Sequence, residues 1–286
     1  MIEFNKVEIK AITQGKKTNQ NDDFVFGANI KDTCALGVLG DFQTGCMAGI
    51  GFECTNNIKQ FFDKNKKKWL LELTKNTDII IEVAEYINEW LRIKNRIKNK
   101  SQKSRTTLIV LIYDSMEKKL YYTINGDSGL AVVKNNEKTE YISKGDIKGS
   151  RSGAGSLPID HSFNLQLIEV EENDIVFAFS DGLWSNTNIN EKSLANVIFY
   201  PNMTNIVNSI TNNVINKCAK NDDMSFLLLK IGKVSYGNGR TDITTIDQKI
   251  IKSIIENICK IKKSKKEGLP FISKTIIKYI NKVKLK

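Results

Sequence analysis

The sequence predicts an α+β fold in which antiparallel sheets are covered by helices. Three observations carry this expectation. Apolar strand-like runs cluster, helical periodicities come in pairs, and many strand-to-strand links are hairpin turns rather than helical crossovers. With 286 residues, 41% hydrophobic and 26% charged, and only 3 Pro, the chain has the balance of a globular protein with a sizeable core.

Taken in chain order, Val7–Thr13 and Phe24–Asn29 read as strands joined by the polar stretch Gln14–Asp23. Cys34–Leu39 is a third, ending at Gly40-Asp41. Two helical patterns follow, Ala48–Phe62 and Thr77–Ile97. The second places Ile80, Ile81, Val83, Ala84, Ile87 and Trp90 or Leu91 on one face. The lysine-rich stretches Lys64–Lys68 and Lys98–Lys103 read as solvated connections. Thr106–Tyr113 and Leu120–Asn125 flank a hairpin turn, and Leu130–Val133 follows the turn Gly126–Gly129. Further strands fit Phe163–Val170, Ile175–Ser180 and Ser225–Ile231, and helices fit Glu191–Ile198 and Thr204–Cys218.

Residue counts exclude several chemistries. The single histidine, His161, cannot build a multi-histidine zinc or iron site, and its polar surroundings make it an exposed loop residue. The five cysteines are scattered, with no CxxC pair, which indicates neither a zinc knuckle nor a disulfide framework. No apolar run reaches bilayer-spanning length and Met1–Lys10 lacks the core of a signal peptide, so the expected location is cytoplasmic. An enzyme of this composition runs on carboxylates and hard metal ions.

Five aspartates abut apolar strands: Asp22, Asp41, Asp127, Asp181 and Asp222. Singly, each is an ordinary turn former. Together they allow strand ends to converge on one rim, where packed carboxylates repel and take up protons unless cations neutralise them. Oxygen-only ligands suit Mg²⁺ or Mn²⁺. A pair of such ions can polarise a phosphoryl oxygen and acidify a bridging water, giving a hydroxide nucleophile without any histidine.

The order of these elements resembles the PPM phosphatases, the family of protein phosphatase 2C and its bacterial relatives, over Lys10 to about Ile231. An Arg-x-x-Asn-Glu-Asp element is matched by Lys17-Thr18-Asn19-Gln20-Asn21-Asp22, and Asp-Gly-His-Gly-Gly by Asp41-Phe42-Gln43-Thr44-Gly45. Ser104-Arg105-Thr106-Thr107 stands for Ser-Gly-Thr-Thr, and Gly126-Asp127-Ser128-Gly129 for Gly-Asp-Ser-Arg. Ser180-Asp181-Gly182-Leu183-Trp184 keeps its signature intact, and Asp222-Asp223-Met224-Ser225 closes the series. The resemblance implies a four-layer α-β-β-α sandwich, two antiparallel sheets flanked by helix pairs, in a phosphatase domain spanning 1–233.

It also implies roles. Asp41 bridges two Mg²⁺ or Mn²⁺ ions, and Asp181 and Asp222 complete one of them. Asp22 acts through metal-bound waters, Phe42 lends its backbone carbonyl, and Asp127 with Asp181 matches a third, weaker site. Lys17 takes the place of the phosphate-gripping arginine, supplying charge but not the bidentate fork. Gln43 replaces the histidine that protonates the leaving alkoxide, a role glutamine cannot fill. The implied activity is hydrolysis of phosphoserine and phosphothreonine on proteins, opposed by a serine/threonine kinase. The alternative is a catalytically weak PPM-like module that binds a phosphoprotein or kinase.

Residues 234–286 form a basic extension carrying net +9 of the chain's +11. Ile250, Ile251, Ile254, Ile255, Ile258 and Ile261 share a helical face among lysines, and Ile276, Ile277, Ile280 and Val283 repeat the theme. Two docked helices are the plainer expectation; the sharper one is an anchor for an anionic membrane surface or an acidic partner. With only Phe271 and Tyr279 for stacking in its helical stretches, nucleic acid is disfavoured.

Overall fold

A computed structural model describes residues 4–14, 21–42, 49–96, 104–134, 139–143, 163–185 and 222–234. All belong to the first of two units of the chain, Met1–Ser235; the second, Tyr236–Lys286, holds the basic extension and lies outside the described residues.

Ten strands and three helices are described. The strands are β1 (Phe4–Gln14), β2 (Asp23–Lys31), β3 (Cys34–Asp41), β4 (Leu108–Asp114), β5 (Lys119–Asn125), β6 (Gly129–Val133), β7 (Thr139–Ser143), β8 (Gln166–Glu169), β9 (Ile175–Phe179) and β10 (Met224–Val234). The helices are α1 (Ile50–Leu71), α2 (Asn76–Asn95) and α3 (Asp181–Ser185). One sheet runs β1-β10-β9-β6-β7, the other β2-β3-β4-β5-β8. Every pairing is antiparallel. The expected α+β class holds.

Strand periodicity explains how three layers pack. In β3, Cys34, Leu36 and Val38 face the helices, whereas Ala35 and Leu39 join the core between the sheets. In β4, Leu108, Val110 and Ile112 take the helix side, and Ile109, Leu111 and Tyr113 the sheet side. Both strands are covered on both faces, so they read as continuous apolar runs. The inter-sheet core is completed by Leu130, Val132, Val176, Ala178, Leu227 and Leu229. The second helix pair of the expected four-layer sandwich falls on residues outside the described ones.

Helices α1 and α2 cover the β2-β3-β4 side. The expected face of α2 is largely the buried one: Ile80, Val83, Ala84, Ile87 and Leu91 are buried, with Ile79 in place of Ile81. The expectation for Lys64–Lys68 needs correction, because α1 continues through it to Leu71. Two of its lysines find polar partners, Lys68 beside Glu82 at 3.7 Å and Lys66 on the neighbouring strand. Lys66 Nζ donates to the Asn29 carbonyl at 2.7 Å and sits 5.5 Å above the Phe62 ring. Beyond the lysines, Trp69 is fully buried against Phe61 and Phe62, and its Nε1 donates to Glu82 Oε2 at 2.8 Å. That anchor keeps the last turn helical.

Candidate metal centre

The ends of β2, β3 and β4 are stapled side by side at one edge of their sheet. Asp23 opens β2 directly across from Asp41, which closes β3. The Asp41 N–H donates to Thr107 Oγ1, and the Thr107 N–H returns a bond to the Asp41 carbonyl, both at 2.9 Å. Thr106 Oγ1 donates to that same carbonyl, also at 2.9 Å. Thr107 Oγ1 lies 2.6 Å from Ser128 Oγ, which ties in the turn carrying Asp127. The two threonines thus fix the backbone from which the Asp41 side chain projects.

The second sheet delivers its own acids to this edge. Ser180 follows β9 and Asp181 opens α3, while Asp222 and Asp223 lead into β10. The Ser180 N–H donates to Ser225 O, and the Ser225 N–H donates to Ser180 Oγ, both at 2.9 Å. Ser180 Oγ in turn donates to Asp23 Oδ2 at 2.8 Å, joining residues 157 positions apart. Around this bridge, Thr13 Oγ1 accepts from Asn21 Nδ2 and Ser225 Oγ, both at 2.6 Å. Asn21 Oδ1 accepts from the Asp23 N–H at 2.9 Å.

Two glycines let the backbones close in. A Cβ on Gly182 would stand 1.8 Å from the Asp223 carbonyl oxygen, and one on Gly51 would stand 2.1 Å from that of Asp23. Contacts that short exclude any side chain. Gly182 therefore draws the start of β10, with Asp222 and Asp223, against the turn that carries Asp181.

The electrostatics follow from this crowding. Burial, then the charges of Asp23 and Asp181, a hydrogen bond with Asp181 and the charge of Asp222, hold the Asp41 carboxyl well above the usual range. Burial also raises Asp181, opposed by a hydrogen bond from Asp41 and reinforced by Asp127 and Asp222. Burial pushes Asp23 up to about 7, against the pull of Ser180 and Ser225. Asp23, Asp41 and Asp181 thus hold their protons more tightly than isolated aspartates do.

Whether divalent ions suit these residues can be judged from the donors. Among the described residues, no three acidic, cysteine or histidine side chains already form a ready-made cage. Yet Asp23 Oδ1 and Asp181 Oδ1 are buried and accept no hydrogen bond. Buried carboxylate oxygens without donors, amid acids held partly protonated, are the condition a hard cation relieves. The donor set fits Mg²⁺ or Mn²⁺.

Of the residues expected at this site, Asp41, Asp181, Asp222 and Asp127 act on one another across the two sheets. Phe42 is fully buried, its ring against Phe24 and Trp90, while its backbone forms a bridge to Thr106. Asp22 meets the site through its main chain. Its N–H donates to Asp223 Oδ2 at 2.6 Å, and its carbonyl accepts from the Phe42 N–H at 3.2 Å. The neighbouring Asp23, which sequence reasoning passed over, is the residue in register with Asp41. A signal existed, since alternation along Phe24-Val25-Phe26 sends consecutive residues to opposite faces. Lys17 and Gln43 lie outside the described residues.

No protein-family model and no curated protein matches the sequence. Solved structures do match in fold. The catalytic domain of the serine/threonine protein phosphatase PstP, in complex with two manganese ions, aligns at TM-score 0.62 and 13% identity, over 80% of this chain and 99% of that one. The PPM Ser-Thr phosphatase MsPP from Mycobacterium smegmatis, in complex with cacodylate, aligns at 0.58 and 15% identity, over 80% and 100%. RsbX in complex with magnesium aligns at 0.56 and 12%, over 81% and 100%. The chain has the PPM phosphatase fold.

Proposed function

We propose that this chain is a metal-dependent phosphatase acting on phosphoserine and phosphothreonine in proteins. The observation that carries the proposal is the convergence of Asp41, Asp181 and Asp222, with Asp23 beside them, at one end of a two-sheet sandwich. Fold alone does not assign chemistry, so the weight rests on these carboxyls. Solved neighbours of the same fold described with manganese and magnesium support the choice of ion.

Asp41, Asp181 and Asp222 would hold two ions, with Asp127 and Asp181 forming a third position. Asp22 would contribute through water and Phe42 through its carbonyl. Bound there, the ions supply Lewis acidity toward a phosphoryl oxygen and acidify water. The chain's own residues do the rest. Thr106 and Thr107 hold the Asp41 backbone, and Ser180 keeps one Asp23 oxygen occupied. Lys17 would attract the substrate phosphate, and solvent would protonate the leaving alkoxide, since Gln43 has no proton to give. An opposing serine/threonine kinase would supply the substrate, and the basic extension of residues 234–286 would reach an anionic membrane surface or an acidic partner.

The test is phosphate release from p-nitrophenyl phosphate and from a phosphothreonine peptide, by chelator-treated full chain with added Mn²⁺ or Mg²⁺. Release that depends on the ion and is abolished by Asp41→Ala and by Asp181→Ala is the expected result. The substitutions at Lys17 and Gln43 favour a second reading, a binding module for a phosphoprotein or kinase. Tight Mn²⁺ binding by calorimetry without release from either substrate would establish that reading instead.

A further inference from the structure

The turn between α1 and α2 carries a surface that the fold does not use. Leu70, Leu71 and Leu73 are 41%, 73% and 86% exposed, three large apolar side chains within four positions. Exposed leucines are ordinarily scattered singly, so the grouping is informative. Leu73 also stands at φ 51, in the left-handed region, immediately after the α1 C-cap Glu72. The Thr74 N–H closes this turn on the Trp69 carbonyl at 3.0 Å. Glycine or asparagine takes such a position with little strain. A leucine there is strained and, so exposed, recovers nothing by burial within the described chain.

Charge around the tip has a sign. Lys64, Lys67, Lys68 and Lys75 are exposed, and Glu72 is the one acid between Lys64 and Lys75, with Asp63 and Asp78 flanking the stretch. The buried Trp69 and Ile79 hold the turn from beneath, so the leucines project from a fixed base. Beside them a cleft of about 490 Å³ is lined by Leu70, Leu73 and Trp69 together with Lys31, Asp114 and Glu117. Lys31 there is paired with Asp114 at 3.7 Å, whereas around the outward leucines lysines outnumber acids, with Lys68 alone among the four within 4 Å of an acid, Glu82, at 3.7 Å.

We propose that this tip docks on an anionic lipid surface. The leucines enter the boundary between headgroups and acyl chains while the lysines meet the phosphates. Among the described residues no helix is long and apolar enough to cross a membrane, so the contact lies on the surface. A bilayer accepts protruding leucines without a groove shaped to fit them, which an acidic protein partner would need. The inference is independent of the phosphatase reading, because the tip lies on the helix pair and uses none of the acidic residues.

The experiment is sedimentation of the full chain with phosphatidylcholine vesicles, with and without phosphatidylserine. The wild type is expected to pellet with the anionic vesicles and to be released by salt. The double substitution Leu71→Asp and Leu73→Asp should lower the partition on the order of tenfold or more. Leu73→Gly separates docking from folding: it relieves the left-handed strain, so the thermal midpoint holds or rises while binding falls. Equal pelleting of wild type and both variants would overturn the proposal and leave the contact to another surface. Absence of wild-type pelleting with anionic vesicles would overturn it in favour of an acidic protein partner.

Discussion

Replacing Asp23 with asparagine tests the crowded carboxyls at their most buried member. Burial raises the Asp23 carboxyl from 3.8 to about 7, so the fold disfavours its ionised form. At about 1.4 kcal/mol per pH unit, that preference amounts to roughly 4 kcal/mol. A group raised in the folded state contributes its full stability below pH 4 and loses it as pH climbs through 7. Asparagine cannot ionise, keeps an oxygen for the Ser180 hydroxyl and turns an amide N–H toward the orphaned position. In chelator, Asp23→Asn should therefore gain on the wild type as pH rises, by roughly 4 kcal/mol between pH 4 and pH 8. Urea denaturation of both full chains across that range measures the difference. Saturating Mn²⁺ should flatten the wild-type decline, because the ion takes over from the protons. A stability difference independent of pH in chelator would refute the electrostatic account of the site.

Two further substitutions probe its framework. Gly182→Ala places a methyl 1.8 Å from the Asp223 carbonyl oxygen, so the start of β10 must back away from α3. A loss of about 2 kcal/mol or more should accompany a drop in Mn²⁺ affinity on the order of tenfold, read by calorimetry; unchanged affinity would break the link between Gly182 and the acids. Trp69→Ala removes the ring between Phe61 and Phe62 and the bond to Glu82, and should cost about 3–5 kcal/mol in chemical denaturation with metal affinity intact.

The sheets were legible because their central strands carry unbroken apolar runs, and Ile175–Phe179 is buried at every position. Asp41 and Asp181 were legible for the same reason, each standing where such a run stops. Asp23 was not, because adjacent aspartates look alike until the β2–β3 register decides which one faces Asp41. The Ser180–Asp23 bond joins strands of different sheets, and no local pattern encodes it. Composition misled at Lys64–Lys68, where charge hid the seven-residue step from Phe62 to Trp69 that keeps both rings on one helical face. The edge strand β7 escaped because Thr139–Ser143 is short and mostly polar.

The pairing of β1 with β10 reaches back to the order in which the protein is made. Phe4 lies opposite Val234, and β10 sits between the edge strand β1 and β9 in its sheet. Until the ribosome has released residue 234, β1 lacks its partner in the sheet and Asp222 has no platform to stand on. Contacts this distant in sequence form slowly, because a long loop must close before any bond rewards it. A nascent or truncated chain that lacks β10 therefore holds no finished set of acids, and the carboxyl cluster is complete only once that strand is in place.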